Sequence, residues 1–354
     1  MMIDAASLKK GLRCPSMRPM ASRPKLGSRQ AARRFGLFLT PDFSAFSVSC
    51  FVQPLRVANQ LSSEKLYEWE TISLDSALVQ ASNGLSVRPD RPISDLSAVR
   101  ELRLTDLVIC DGSHRRGDER VIARLRGLSR HGTRIGAISS GTWVLAHAGL
   151  LQGRPCTIHW EELEAFRSAF PELSSSSNLF EVDEACFTCA GGAAALDLAL
   201  HLVAEHAGRP FALQVSERLV LGRMRTEDES QRFRLADRLA VTNPSLLRAV
   251  EIMESNLEFP RSLDQIVVET KATKRSLQRL FRKHLQQTPL EYYMSLRLRL
   301  GRQLLQQTSM PVIEIALACG FRTPSHFCQR YRRFFGCSPS EDRRRSVVSG
   351  DRVA

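Results

Sequence analysis

Arg134-Ile-Gly-Ala-Ile-Ser139-Ser140-Gly141-Thr-Trp143 decides how the first two thirds of this chain fold. The run Arg134–Ile138 has the length and apolar character of a buried strand. Ser139 follows at once, and Gly141–Leu150 reads as a helix. A strand that turns into a helix at one residue forms an elbow, which projects that residue over the sheet edge. A serine there has two readings, a nucleophile or a helix cap. The helix start also offers N–H groups to an anionic ligand group.

The same alternation extends outward. Arg34–Leu39 is a strand candidate, Ser49–Leu61 has helical spacing through Phe51, Leu55 and Ala58, and Trp69–Leu74 is a second strand. Leu107–Cys110 is a buried strand ending in Asp111-Gly112. Asp118–Ser129 follows as a helix with Val121, Ile122 and Leu125 on one side. Strands alternating with helices predict an α/β fold with a parallel sheet, and such sheets bind ligands beyond the carboxyl ends of their strands. Asp111, Gly112, Ser139, Ser140 and the Gly141 N–H are therefore candidate lining groups, with His159, Trp160 and Glu161 further along. Trp and Glu side by side can hold a cationic amine. The plainer readings are a packed aromatic for Trp160 and a structural histidine for His159. Asp197, after Ala-Gly-Gly, reads as helix-terminus electrostatics.

The last hundred residues change period. Helices are expected over Ser245–Asn256, Ser262–Thr270, Lys274–Leu285, Pro289–Gln307, Val312–Cys319 and Pro324–Phe335. Ser262-Leu-Asp-Gln265 fits a capping box, and Pro289 suits a first helical turn. In the last pair Ile313, Ala316 and Leu317 form one face. Gly320 suits the sharp turn, and Thr323 can cap the next helix with Pro324 at its first position. That helix is expected to bury Phe327, Tyr331 and Phe334, with Phe335 a further candidate, leaving Ser325, His326, Gln329, Arg332 and Arg333 outside. This is a helix-turn-helix layout, whose second helix fits the major groove of DNA. An earlier pair repeats it, with Leu277, Leu280 and Phe281 packed and Lys274, Arg275, Gln278, Arg279, Arg282 and Lys283 outward. The 19-residue helix between them spans roughly 28 Å, so two recognition helices on one rod predict two successive major grooves, roughly 34 Å apart.

Composition agrees. The 354 residues are 43% hydrophobic and 25% charged, which describes a globular chain of two or three domains. The net charge of +13 is uneven: +8 over residues 1–34, −4 over 35–242 and +9 over 243–350. The positive ends point to a polyanionic partner. Residues 1–33 carry Pro15, Pro19 and Pro24 and little apolar surface, so a disordered leader is expected there. It has no apolar core of a secretory signal. No apolar run reaches 18 residues, since Asp197, His201 and Glu205 interrupt Ala190–Ala207; no membrane span is expected. Nine scattered cysteines argue for a reducing cytoplasm and against a disulfide framework. Cys186–Cys189 lacks a second ligand pair, so buried strand thiols are expected rather than a metal site. No cofactor is expected.

Two resemblances follow. Residues 34–225 resemble the DJ-1/PfpI, or class I glutamine amidotransferase-like, domain, through Pro54-Leu-Arg-Val-Ala-Asn59, Ala81-Ser-Asn-Gly-Leu85, the Ser139 elbow, Thr157-Ile-His-Trp-Glu161 and Cys189-Ala-Gly-Gly-Ala-Ala-Ala-Leu-Asp197. The resemblance implies a flavodoxin-like sheet sandwiched by helices. The family's enzymes carry a cysteine at the elbow, where this chain has Ser139. They also carry an acid near the start of the first helix, where this chain has Ser47, which joins the candidate ligand-binding residues. A serine needs a positioned base, and no histidine neighbours Ser139 in sequence, so no catalytic residue is assigned. Residues 243–345 resemble the AraC/XylS DNA-binding domain, an all-α domain with two helix-turn-helix motifs, through Arg275-Ser-Leu-Gln-Arg-Leu-Phe281, Val312-Ile-Glu-Ile-Ala-Leu-Ala-Cys-Gly-Phe321 and Phe334-Phe335-Gly336. It implies base contacts from Arg275, Gln278, Arg279, Ser325, His326 and Gln329. Lys271 stands where the first turn usually has glycine, and Val267 where small alanine is usual, so a first motif that is distorted, weaker or reliant on the second is expected, with Lys271 at positive φ costing about 1 kcal/mol. Residues 226–242 read as a linker and 346–354 as a tail.

The two together resemble GlxA-like transcriptional regulators of the AraC/XylS family, closest to the subgroup that senses glycine betaine, carnitine or amino acids. This implies an activator of a catabolic operon, controlled by a small nitrogenous effector, acting with RNA polymerase and as a homodimer. The rival readings are an amidase-like hydrolase fused to a DNA-binding module and a ligand-free architectural DNA binder.

Overall fold

The computed structural model describes residues 32–75, 77–94, 104–110, 118–308 and 310–351, with side chains as far as residue 345. Residues 1–31 of the expected leader, Asp111 and Gly112 lie outside the described residues, while Arg33, expected in the leader, opens the first strand and pairs with Asp106.

The N-terminal domain runs β1 (Arg33–Leu39), α1 (Ala45–Leu61), β2 (Tyr67–Ser73), short strands β3 (Val79–Gln80), β4 (Ser86–Val87) and β5 (Arg91–Pro92), then β6 (Asp106–Cys110). It continues through α2 (Glu119–Arg130), β7 (Arg134–Ile138), α3 (Gly141–His147), β8 (Pro155–Thr157), α4 (Leu163–Ala169) and β9 (Ser174–Ser176). It closes with β10 (Phe180–Val182), β11 (Cys186–Cys189), α5 (Ala194–Ala207) and α6 (Arg209–Arg218). The main sheet has the order β10-β11-β7-β6-β1-β2-β5. It is parallel except for β10, which pairs antiparallel with β11. The expected parallel α/β sheet is thus present, with one antiparallel edge. Helix α3 ends at His147, short of the expected Leu150.

Strand alternation explains the two cores. In β1, Phe35, Leu37 and Leu39 face α1, α5 and α6, while Phe38 faces the α2–α4 side. In β11 the same period sends Cys186 to one core and Cys189 to the other. Two thiols on opposite faces cannot share a tetrahedral ion, and burial pushes Cys189 up to about 12.

Residues 226–242 do not hang free. They hold α7 (Leu235–Leu239) and an isolated bridge between Ser230 and Asn178. The C-terminal domain contains α8 (Pro244–Glu254), α9 (Leu263–Thr270), α10 (Lys274–Leu285), α11 (Pro289–Gln307), α12 (Val312–Ala318), α13 (Pro324–Phe335) and α14 (Pro339–Asp351). Helix α14 runs across the expected boundary at residue 345; Ser338-Pro-Ser-Glu341, a capping box with proline at the first position, is the signal that opens it. The expected capping box at Ser262 and Gln265 is present, and a second one, Thr288 with Glu291, opens α11.

Two buried faces differ from those the sequence predicts. In α12 the buried residues are Ile315 and Ala316, and both Ile313 and Leu317 are exposed. A seven-residue helix offers too few turns for its pattern to set the phase. In α13, Phe334 is 45% exposed. Of the two neighbouring candidates it is Phe335 that packs, with its ring 4.6 Å from that of Tyr331 and the Arg302 guanidinium 4.8 Å away.

Candidate ligand pocket and nucleic-acid interface

The elbow forms as the sequence indicates. Ser139 has φ 56°, left-handed backbone that costs a non-glycine residue roughly 1 kcal/mol. Strain of this kind concentrates at functional sites. Its N–H donates to the Cys189 carbonyl at 2.8 Å, which ties the elbow to the end of β11. Gly141 leaves no room for a Cβ against the Ile109 carbonyl, so α3 starts hard against β6. The Gly191-Gly192 turn lies beside Ser139 from the other side.

Ser47 is buried on the first turn of α1. Its hydroxyl accepts the Gly192 N–H at 2.8 Å and donates to Ser44 Oγ at 3.0 Å. A neutral hydroxyl thus satisfies the turn beside the elbow where the related enzymes carry an acid. Among the described residues no histidine is hydrogen-bonded to Ser139. His147 stacks on Phe170, with 5.1 Å between rings, and His159 faces Glu161 at 3.6 Å.

The carboxylate that reaches the elbow is Glu162, which the sequence pattern does not single out. Glu162 Oε1 accepts from Ser140 Oγ at 2.7 Å, and Oε2 accepts from Trp143 Nε1 at 2.6 Å. Glu161, the residue the sequence favours, is exposed. The Glu162 N–H donates to the His159 carbonyl at 2.8 Å, so residues 159–162 form a tight turn leading into α4. Nothing local marks Glu162, because its partners come from two other positions far off in the chain. Trp160, on that turn, is 38% exposed and carries the Arg232 guanidinium over its ring at 4.2 Å.

The second surface belongs to the C-terminal domain. Helices α9 and α10 form the first helix-turn-helix, α12 and α13 the second, with α11 between. Thr273 caps α10 and Thr323 caps α13, each accepting the N–H three residues on. Leu277 and Phe281 are buried on α10, Phe327 and Tyr331 on α13. Lys274, Arg275, Gln278, Arg279 and Arg282 lie on the outer face of α10, and Ser325, His326, Gln329, Arg332 and Arg333 on that of α13. Lys274 pairs with Asp264 at 3.3 Å, and His326 Nε2 accepts from Arg330 Nε at 3.2 Å. In the first motif Lys271 does take the left-handed backbone expected of it, at φ 51°, and the turn closes without distortion. Two cationic helix faces with Gln, Arg and His donors suit phosphates and purine edges.

The two domains touch. Helix α4 packs on α11, and the core on the α2–α4 side of the sheet is continuous with that of the second helix-turn-helix unit. Arg238, on α7, pairs with Glu254 of α8 at 2.8 Å.

Comparison with known proteins bears on both halves. The DJ-1/PfpI family matches residues 45–205, and a helix-turn-helix domain matches residues 266–345. The HTH-type transcriptional regulator GbdR of Pseudomonas aeruginosa is 41% identical over 313 residues, covering 87% of this chain and 83% of its own length. CdhR of the same organism, also an HTH-type transcriptional regulator, is 42% identical over 312 residues, 87% of this chain and 91% of its own. The HTH-type transcriptional regulator GlxA of Rhizobium meliloti is 37% identical over 316 residues, 89% of this chain and 96% of its own.

Proposed function

The chain belongs to the AraC family of helix-turn-helix transcriptional regulators, in the group with an N-terminal DJ-1/PfpI domain, and from that premise we propose that it activates a catabolic operon in response to a small nitrogenous metabolite. The effector class is a betaine, carnitine or a basic amino acid. It enters at the Ser139 elbow, where Ser47, Ser139, Ser140, Gly141, His159, Trp160 and Glu161, with Asp111 and Gly112, are the candidate contacts. Glu162 joins them through its bonds to Ser140 and Trp143.

The observation that carries a sensor rather than a hydrolase is the pairing of Ser139 with Ser47. Acyl transfer needs a nucleophile with a base in reach, and here a hydroxyl bonded to the Gly192 amide takes the acid's position. Such a pocket binds without turning over. Bound effector acts on transcription only by favouring one arrangement of the two domains over another. In the favoured arrangement α10 and α13 enter two successive major grooves, with Arg275, Gln278, Arg279, Ser325, His326 and Gln329 at base edges and Lys274, Arg282, Arg332 and Arg333 at phosphates. A homodimer in the cytoplasm working beside RNA polymerase completes this reading.

Thermal unfolding of the full chain against betaines, carnitine and basic amino acids is the test. A ligand at 100 times its dissociation constant adds about 2.7 kcal/mol of stability. A shift with one compound, abolished in Ser139→Trp, supports the sensor; no shift with any of them overturns the amine class.

A further inference from the structure

The sequence marks Trp160 with Glu161 as a pair able to hold a cation, and the fold already seats one there. The Arg232 guanidinium lies 4.2 Å from the Trp160 ring centroid, within the range of a cation–π contact. It is partly withdrawn from water, and that desolvation together with nearby Arg238 lowers its pKa, opposed by the charge of Glu254 and of Glu161. Arg232 therefore sits where three parts of the molecule meet: the 159–162 turn, residues 226–242 and α8.

The chain that delivers Arg232 is stitched to the N-terminal domain step by step. Asp197 accepts from the Arg225 amide at 3.1 Å and from its guanidinium at 2.9 and 2.6 Å. The Leu179 N–H donates to the Glu227 carbonyl at 2.9 Å. Gln231 Nε2 lies 3.1 Å from Thr157 Oγ1, 3.0 Å from the Ile158 carbonyl and 2.8 Å from that of Asn178. Beyond Arg232 the next firm tie, Arg238 to Glu254, is to the DNA-binding domain. Arg232 thus stands at the end of the N-terminal stitching, just before the chain crosses over.

We propose that Arg232 is the built-in occupant of the effector's cation site: a trimethylammonium group and the Arg232 guanidinium exclude one another on the Trp160 ring, so effector binding frees the chain from Arg232 onward, residues 232–242, from the N-terminal domain. This rests on the amine-sensor reading above and adds the device that carries the signal. Two cations cannot share one ring face, and Arg232 is tethered, so it holds the face until a ligand with a second anchor displaces it. The ligand's carboxylate is that second anchor, and the start of α3, tied to the 159–162 turn through the Ser140–Glu162 bond, offers N–H groups to it. An occupied site weakens apparent affinity by the fraction of molecules in which it is free.

Calorimetric titration of the full chain with glycine betaine tests this, with hydrogen exchange of residues 232–242 as a second readout. Arg232→Gln is expected to bind about 3- to 30-fold more tightly than the parent chain, since a cation–π competitor of ordinary strength withholds that much affinity from the ligand. Without ligand, its residues 232–242 exchange as fast as those of the betaine-saturated parent. Arg232→Lys, which keeps a cation over the ring, stays within about 3-fold of the parent. Equal or weaker binding by Arg232→Gln overturns the proposal and leaves the sensor standing. Binding by neither protein, repeated with carnitine and arginine, overturns the sensor reading and this proposal with it.

Discussion

The first helix-turn-helix unit holds Lys271 and Gln286 in left-handed backbone, at φ 51° and 57°, where the second holds Gly320 and Gly336, at φ 70° and 78°. The paired positions lie 49 and 50 residues apart, and each follows the same helix of its unit. The two units otherwise repeat closely. Each recognition helix is capped by a threonine, and each following helix opens with a reciprocal box, Thr288 with Glu291 and Ser338 with Glu341. One architecture thus runs on two different backbone solutions. The first unit tolerates strain of about 1 kcal/mol at each of two turns; the second avoids it.

The second turn is also clamped where the first is not. Arg297 of α11 donates to the Cys319 and Gly320 carbonyls at 2.7 and 2.6 Å and stacks on Phe321 at 4.3 Å. Burial lowers its pKa, and the two carbonyls offset that cost. The residue 49 places earlier, Arg248, is exposed and pairs with Glu251 on its own helix. The second turn is therefore held by a side chain from the neighbouring helix, where the residue at the matching place in the first unit bonds within its own helix.

The largest test of that contrast is Gly320→Ala. An added Cβ would lie 2.6 Å from Pro260 and 2.7 Å from the Leu257 carbonyl, on left-handed backbone. Strain and overpacking together should cost about 3 kcal/mol in urea unfolding of the full chain. A loss below about 1 kcal/mol would make the two turns equivalent. Arg297→Met comes next, at about 2 kcal/mol for carbonyls left without their charged donor, against less than about 0.5 kcal/mol for Arg248→Met. Equal effects would break the comparison. Lys271→Gly and Gln286→Gly run the other way. Each should gain about 0.5 kcal/mol, relieved strain outweighing the added chain entropy, and a decrease for Gln286→Gly would show that its long bond to the Lys283 carbonyl, at 3.4 Å, outweighs the strain. The smallest effect concerns acid. Backbone and side-chain bonds from Thr288 and Ser338 hold Glu291 and Glu341 below the usual glutamate range. A lowered carboxyl contributes stability above its unfolded pKa, which is lost as pH falls through the folded one. Glu291→Gln and Glu341→Gln should therefore each flatten the helicity profile below about pH 4.3, and to the same extent if the boxes are alike.

How much of this was legible in the sequence follows a physical line. Turns announce themselves, because an elbow, a capping box or Gly320 depends on residues within a few positions. The strand–Ser139–helix break and the expected span of α10 were readable for that reason. Glu162 was not, since its value comes from Ser140 and Trp143, at the start of α3, brought to it only by packing. Arg232 was one arginine in the charged stretch Arg223–Arg238, and no pattern separates a stacked guanidinium from a solvated one. The aromatic pair Phe334-Phe335 shows the same limit at finer grain. Periodicity places an apolar face to within about one residue, and the neighbours Tyr331 and Arg302 decide which ring is buried.

Helix α11, 19 residues from Pro289 to Gln307, acts as a protractor as well as a ruler. Each residue inserted in an α-helix advances the chain about 1.5 Å and turns it by about 100°. One extra residue in α11 would lengthen the rod trivially and swing the second recognition helix to another side. Seven residues nearly restore the phase, about 20° short of two full turns, and lengthen the rod by about 10 Å. Insertions in α11 are thus constrained by angle before they are constrained by distance, and lineages that change the spacing of their operators have to alter the DNA or the turns before they alter this helix.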